Sequence, residues 1–270
     1  MTAAPVTGPV AGDDPERRFV PGDDVLLIDR KRRRYLVTLQ PGGEFHSHAG
    51  VLGHDQLLGS VEGTTYRTTH GQWLLALRPT LNDIVLKMPR GAQVIYPKDI
   101  GPILIMADIQ PGVRVLESGV GSGALSMGML RAGATITGYE LREDFAERAQ
   151  ANVARFAPAV ADRYHVEIRD CYEGIDERHL DRVVLDLPEP WQVVPHAEQA
   201  LRTGGILVAY TPTIGQASRL RETLAASRFA FEETLEVLQR TWHIEGQSVR
   251  PDHRMVAHTG FLTSARLLAE

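Results

Sequence analysis

The chain has 270 residues, 43% hydrophobic and 23% charged, the balance of a globular protein with room for one large α/β domain and a small appended one. No apolar run is long enough to span a bilayer, so no membrane segment is expected, and a formal net charge of −5 argues mildly against a nucleic-acid partner while leaving local basic clusters open. The single cysteine, Cys171, can make neither an internal disulfide nor a cysteine metal cage, which fits a reducing, cytoplasmic setting.

Residues 1–17 are rich in Ala, Pro, Gly and Thr and read as a loose tail without the basic start and apolar stretch of a secretory signal. Residues 18–80 carry short β-type runs at 25–28, 35–39 and 73–77, separated by Gly, Asp, His and Pro, so a small β-rich module is expected. Between the first two runs lies the basic stretch Arg30-Lys31-Arg32-Arg33-Arg34, which taken alone reads as a solvated turn. Pro and Gly punctuate residues 81–96, an expected connector.

From residue 97 to 270 strands alternate with helices. Strands are expected at 113–117, 136–139, 165–168, 182–185 and 206–210, with helices at 124–131, 143–156, 195–201 and 216–226. The helix at 143–156 shows an apolar stripe at Phe145, Ala149, Val153 and Phe156. Two long β-type segments close the chain. Repeated alternation means a Rossmann-like α/β fold, a mostly parallel seven-stranded sheet with helices on both faces.

Between the first strand and its helix runs Glu117-Ser118-Gly119-Val120-Gly121-Ser122-Gly123. Glycines allow a tight turn and close approach of a ligand to the backbone, and Gly119-x-Gly121-x-x-Ala124 also satisfies the dinucleotide fingerprint. Glu117 tilts the choice, because a carboxylate aimed at the crevice disfavours a phosphate, whereas the sulfonium-bearing methionine of S-adenosylmethionine carries none. Glu140, ending the second strand, can accept both hydroxyls of a ribose; Asp170, after the third, is placed for an adenine amino group. On the carboxyl edge of one sheet, these acids form a ligand crevice.

The fourth strand ends in Asp186-Leu187-Pro188-Glu189-Pro190-Trp191, similar to the Asp/Asn-Pro-Pro-aromatic signature of enzymes that methylate nucleobase nitrogens. Adenine N1 already holds an in-plane lone pair, so it needs alignment rather than a strong base. Asp186 could accept a hydrogen bond from the exocyclic amine and offset the charge growing on the ring. A base must leave its stack to reach such a pocket, and Tyr96, with Trp191 second, is the candidate aromatic platform.

Gln93-Val94-Ile95-Tyr96-Pro97-Lys98-Asp99, the glycine loop, the Asp186–Trp191 segment, Gly260-Phe261-Leu262 after His258-Thr259, and Pro41-Gly42-Gly43-Glu44-Phe45-His46-Ser47-His48 together resemble the bacterial and archaeal tRNA (adenine-58-N1)-methyltransferases, nearest the actinobacterial branch. The resemblance implies a homotetramer that methylates an adenine of the T loop of tRNA. It further implies S-adenosyl-L-methionine held by Gln93, Glu117, Gly119, Val120, Gly121, Ser122, Gly123, Ala124, Glu140, Arg142, Phe145, Asp170, Cys171 and Asp186, with Asp186 and Tyr96 facing the adenine. Val120 departs from the pattern, standing where a smaller residue is usual.

Three other readings compete. His46-x-His48 resembles half of a cupin metal site, but no second histidine motif follows, so no metal is expected. A methyltransferase acting on protein isoaspartate or a small molecule would not need the Asp186–Trp191 loop. A tRNA-binding subunit without catalysis would not need the glycine loop, Glu140 and Asp186 intact.

Overall fold

The structure is a computed structural model that describes residues 16–91 and 93–270. Of the expected tail at 1–17, residues 1–15 lie outside the described residues. The chain divides into two compact units, Met1–Met88 and Pro89–Glu270.

In the first unit, β1 (Asp24–Asp29), β2 (Arg34–Thr38), β5 (Thr65–Arg67) and β6 (Trp73–Leu77) form an antiparallel sheet in the order β2-β1-β6-β5. A separate hairpin joins β3 (Glu44–Ser47) to β4 (Gly50–Gly53). Strand β6 alternates, burying Leu74 and Ala76 in a core with Phe19, Val25, Leu27, Leu39, Leu52 and Leu57. Residues 81–87, expected to be connector, instead form helix α1 (Leu81–Lys87). A capping box explains it: Asp83 N–H donates to Thr80 Oγ1 at 3.3 Å and Thr80 N–H to Asp83 Oδ2 at 3.1 Å. Arg34, last of the basic run, is spent on Asp83 at 2.6 Å.

The second unit opens with α2 (Pro97–Met106), a helix not expected from the sequence, in which Pro97 takes the first position where its missing N–H costs nothing. There follow β7 (Arg114–Ser118), α3 (Ala124–Arg131), β8 (Thr135–Glu140), α4 (Glu143–Phe156), β9 (Tyr164–Ile168), β10 (Leu180–Leu185), α5 (Val194–Ala200), β11 (Leu201–Thr211), α6 (Ile214–Ala225) and β12 (Phe229–Glu236). The chain closes with the hairpin β13 (Trp242–Glu245) and β14 (Ser248–Pro251), then β15 (Phe261–Leu267). The seven-stranded sheet runs β12-β15-β11-β10-β7-β8-β9, parallel from β9 through β11, with β15 antiparallel to both neighbours.

Two differences from the sequence reading have local causes. Strand β11 begins five residues earlier than expected because a bulge breaks its alternation: Gly204 has φ +77° and the pairing with β10 shifts between Leu180 and Arg182. The closing segments are three elements rather than two, since the hairpin β13–β14 stands outside the main sheet.

Chain order reverses between β7 and β10, so the loops after these strands splay apart at their carboxyl ends. That switch point carries the glycine loop on one side and Asp186 on the other.

Candidate active site

At the switch point the two loops are clamped together. Asp186 N–H donates to Ser118 O at 2.9 Å, and Gly119 N–H to Tyr139 O at 3.0 Å. Gly119 has φ +83°, and a Cβ there would lie 2.2 Å from Asp186 O, so only glycine allows this approach. The loop then turns into α3, with Gly123, at φ +79°, as its N-cap.

The crevice has a wide and a narrow part. The wide one, about 460 Å³, is lined by Gly119, Gly121, Glu140, Arg142, Phe145, Asp170, Cys171 and Asp186, all expected, and by Ser118, Tyr139, Leu141, Arg169, Tyr172, Leu187 and Pro188. The narrow one is lined by Val94, Ile95, Glu117, Val120, Ser122, Ala124 and Leu125, and shares Gln93, Gly119, Gly121 and Asp186 with the wide one. Of the expected cofactor residues, only Gly123 lines neither part; it holds the turn.

Glu140 is buried at the tip of β8, where Oε1 accepts from Arg142 N–H at 3.1 Å and Oε2 from Gly121 N–H at 3.3 Å. Both oxygens are thereby fixed at the crevice with lone pairs to spare. Asp170 Oδ1 accepts from Tyr172 N–H at 2.8 Å, which turns the chain into the wall of the wide part. Phe145 forms an apolar wall under Arg142, whose guanidinium stacks 3.7 Å from the ring centroid while pairing with Asp144. Cys171 is buried and its thiol is pushed up to about 11, mainly by burial, so it is an apolar surface rather than a nucleophile.

Glu117 was expected as a charged carboxylate. Burial instead pushes it up to about 8, although Ser126 Oγ donates to it at 2.6 Å; the charges of Asp186 and Glu140 add to the rise. Asp186 is pushed up to about 7 by burial and then by Glu140. Three acids thus converge, and among the described residues none of them is ion-paired with a basic side chain, an arrangement that a cationic ligand would relieve.

Val120 lines the narrow part, and its side chain also packs into the core beneath the loop. It is buried with Ala146, Ala149 and Val166, over the space left by Gly138, whose Cβ would lie 2.7 Å from Val120 Cγ1.

The aromatic candidates fare differently. Tyr96 lines neither part; it is half-buried at the N-cap of α2, near enough to Tyr210 that its charge would raise that phenol. Trp191 packs against the main core, with Arg219 stacked 4.3 Å from its ring, and lines no part of the crevice. Beside Tyr96, two distant motifs meet. Lys98 Nζ donates to Asp99 Oδ1 at 2.7 Å, Val237 O at 2.6 Å and Thr259 Oγ1 at 2.6 Å, while Thr259 Oγ1 donates to Asp99 Oδ2 at 2.7 Å. The ion pair is almost wholly buried and anchors α2 to the segments entering β15 and leaving β12.

Sequence reasoning missed Leu141, Arg169, Tyr172 and Tyr139. All four flank strand-end acids, at one residue from Glu140 or one or two from Asp170, and that adjacency was the available signal. As for His46 and His48, the first lies 2.9 Å from Glu44 and the second contacts Arg33; among the described residues no group of three His, Cys, Asp or Glu could hold a metal.

The strand order, the glycine turn at the switch point and the strand-end acids define a methyltransferase-type α/β domain. Solved structures agree: a SAM-dependent O-methyltransferase from Thermotoga maritima aligns with TM-score 0.89 at 32% identity, covering 93% of this chain and 95% of that one. The tRNA (m1A58) methyltransferase TrmI from Aquifex aeolicus aligns with TM-score 0.83 at 28% identity, covering 94% and 100%. Residues 72–250 match the profile of the tRNA methyltransferase complex GCD14 subunit, and residues 18–65 match that of the TrmI-like N-terminal region. Among curated relatives, the tRNA (adenine(58)-N(1))-methyltransferase TrmI of Thermus thermophilus is 39% identical over 90% of this chain and 96% of its own length. The tRNA (adenine(57)-N(1)/adenine(58)-N(1))-methyltransferase TrmI of Methanocaldococcus jannaschii is 34% identical over 91% and 95%. This chain belongs to the TrmI/GCD14 family of tRNA methyltransferases.

Proposed function

We propose that this chain transfers a methyl group from S-adenosyl-L-methionine to N1 of adenine 58 in the T loop of tRNA. The observation that carries the reading is Asp186: it directly follows β10 at the switch point, lines both parts of the crevice, and is held there by its own backbone against Ser118 and Gly119.

The residues present fit such a donor. A nucleoside suits the wide part, with Glu140 taking ribose hydroxyls, Phe145 and Leu141 facing a base, and Asp170 near its edge. An amino acid end suits the narrow part, where Glu117 is a buried acid with only Ser126 as hydrogen-bond partner among the described residues, ready to ionise against an ammonium. When bound, the donor supplies a methyl carbon on a sulfonium, so that the S–C bond breaks as N1–C forms and positive charge passes from sulfur to the ring.

For this chain's residues the task is orientation and charge. Asp186 accepts a hydrogen bond from the adenine amine, presenting N1 toward the methyl group, and its carboxylate stabilises the charge gained by the ring. Tyr96, at the start of α2, supplies the stacking face for the extruded base, held in position by the Lys98–Asp99–Thr259 network.

An O-methyl acceptor is the second reading, favoured by the name of the Thermotoga neighbour and by an Asp186 pushed up to about 7, which is suited to take a hydroxyl proton. Incubation with labelled donor and an unmodified tRNA transcript, followed by nucleoside digestion to identify the product and primer extension to locate it, separates the two. 1-Methyladenosine at position 58 supports the proposal; a 2′-O-methylated nucleoside, or no label in RNA, rejects it. The same primer extension reports whether position 57 is also modified.

We further propose a homotetramer in the cytoplasm. Trp242, Ile244 and Val249 leave the hairpin β13–β14 with a broad exposed apolar surface, of the kind association covers. A monomer by sedimentation would reject the assembly.

A further inference from the structure

The function above leaves unused two features of the first unit, the basic run at 30–34 and His48, just after β3. They meet in space. Three hairpin turns converge at one end of this unit: residues 29–33 between β1 and β2, 47–50 between β3 and β4, and 68–72 between β5 and β6. Arg33 contacts His48 across the first two. Thr69 N–H donates to Val51 O at 2.9 Å and Val51 N–H to Thr69 Oγ1 at 3.0 Å across the last two. Between them lies a recess of about 430 Å³ lined by Arg30, Lys31, Arg33, His48, His70 and Gln72, with Asp29 and Ala49.

Asp29 is the recess's one carboxylate, and it is already committed. Its Oδ1 accepts from the N–H groups of Lys31 and Arg33, both at 2.9 Å, and its Oδ2 from Arg33 Nε at 2.7 Å. Burial alone would raise this acid, but these bonds outweigh it and hold the carboxyl below its ordinary value. The acid is therefore the scaffold of the turn, which also sets Arg32 in the left-handed region at φ +60°. Arg30, Lys31 and Arg32 are exposed, and none has a carboxylate partner among the described residues. Next to them Trp73, opposite Arg67 in the β5–β6 register, carries the Arg67 guanidinium 4.3 Å and that of Arg30 5.9 Å from its ring.

We infer that this recess is a binding site for the sugar–phosphate backbone of RNA, with Arg30, Lys31 and Arg67 meeting phosphates. Resting on the tRNA substrate proposed above, it names a contact region on the β-rich unit. Unneutralised cations held on a rigid turn are suited to a fixed polyanion, and they stand out in a chain whose net charge is −5. The stacked Arg–Trp pair at the rim offers a ribose or base face, which a simple counter-ion patch would lack.

The test uses the full chain with Arg30→Gln/Lys31→Gln together and, separately, Arg67→Gln; these exposed side chains can be changed without disturbing the core, which a melting curve verifies. Affinity for an unmodified tRNA transcript is measured by fluorescence anisotropy without donor, at several salt concentrations. The double variant should bind on the order of tenfold more weakly and lose about 2 from the slope of log affinity against log salt, and Arg67→Gln about 1. In turnover, KM for tRNA should rise while kcat and donor affinity hold. Unchanged affinity and slope in both variants would overturn the inference, as would altered self-association with tRNA affinity intact. Binding is read without turnover, so a wild type that binds tRNA through this recess yet does not methylate it would refute only the proposed function.

Discussion

Replacing Asp186 with asparagine keeps the shape of the side chain and removes its charge. In the folded protein the Asp186 carboxyl is pushed up to about 7 from an ordinary 3.8, first by burial and then by Glu140. A raised carboxyl disfavours the folded state wherever the unfolded chain would be ionised: stability is intact below about pH 4 and falls as pH rises toward 7. The gap is about three pKa units at ~1.4 kcal/mol each, which partial solvent access reduces to the order of 2–3 kcal/mol. Asp186→Asn should therefore melt higher than the wild type at pH 8 without ligand and almost equally at pH 4.5. Glu117 keeps a pH dependence in both proteins, so the difference between them is the quantity to read. A cationic donor should narrow that difference by favouring the ionised acid, whereas the neutral thioether product should not. Turnover of the variant should drop by about 10²–10³, the cost of losing a preorganised charge-stabilising group. Thermal melts across pH with single-turnover methylation test both halves. Parallel pH curves for the two proteins, or near-normal turnover, would refute the reasoning.

Gly119→Ala should abolish activity and lower the melting temperature, because the new Cβ would lie 2.2 Å from Asp186 O at φ +83°; calorimetry and a methylation assay on the purified variant check it. Glu140→Gln keeps the acceptor at one oxygen only and should weaken donor binding about 10–100-fold by titration calorimetry, the range for losing a charged hydrogen-bond partner, with kcat at saturation little changed. Lys98→Met leaves Asp99 charged and buried with only Thr259 as side-chain partner among the described residues, and should cost about 3–5 kcal/mol in chemical denaturation; a loss below about 1 kcal/mol would mean the network is not a structural anchor.

Much of the site was legible because strand–loop–helix grammar places residues along the chain. The helix at 143–156 and the helix at 124–131 occur where periodicity put them, and Glu140, Asp170 and Asp186 all line the crevice. Helix α1 was hidden because its capping box, Thr80 to Asp83, sits among residues whose Pro and Gly content dominated the reading. Tyr96 marks the limit of a local pattern: its motif was plain, yet its place at the N-cap of α2, outside the residues that line the crevice, is set by contacts from distant segments.

The amino-acid sequence by itself determined the parallel sheet, the glycine turn and the acids at the strand tips, since each follows from short-range periodicity and backbone sterics. Tertiary structure alone decided their charge states, because proton affinity depends on burial and on neighbours distant in the chain, as for Glu117 and Asp186. It alone also joined Lys98 to Thr259, 161 residues apart, and brought three hairpin turns around one basic recess. Such meetings are set by how strands cross and pack, a long-range property that no local run of residues encodes.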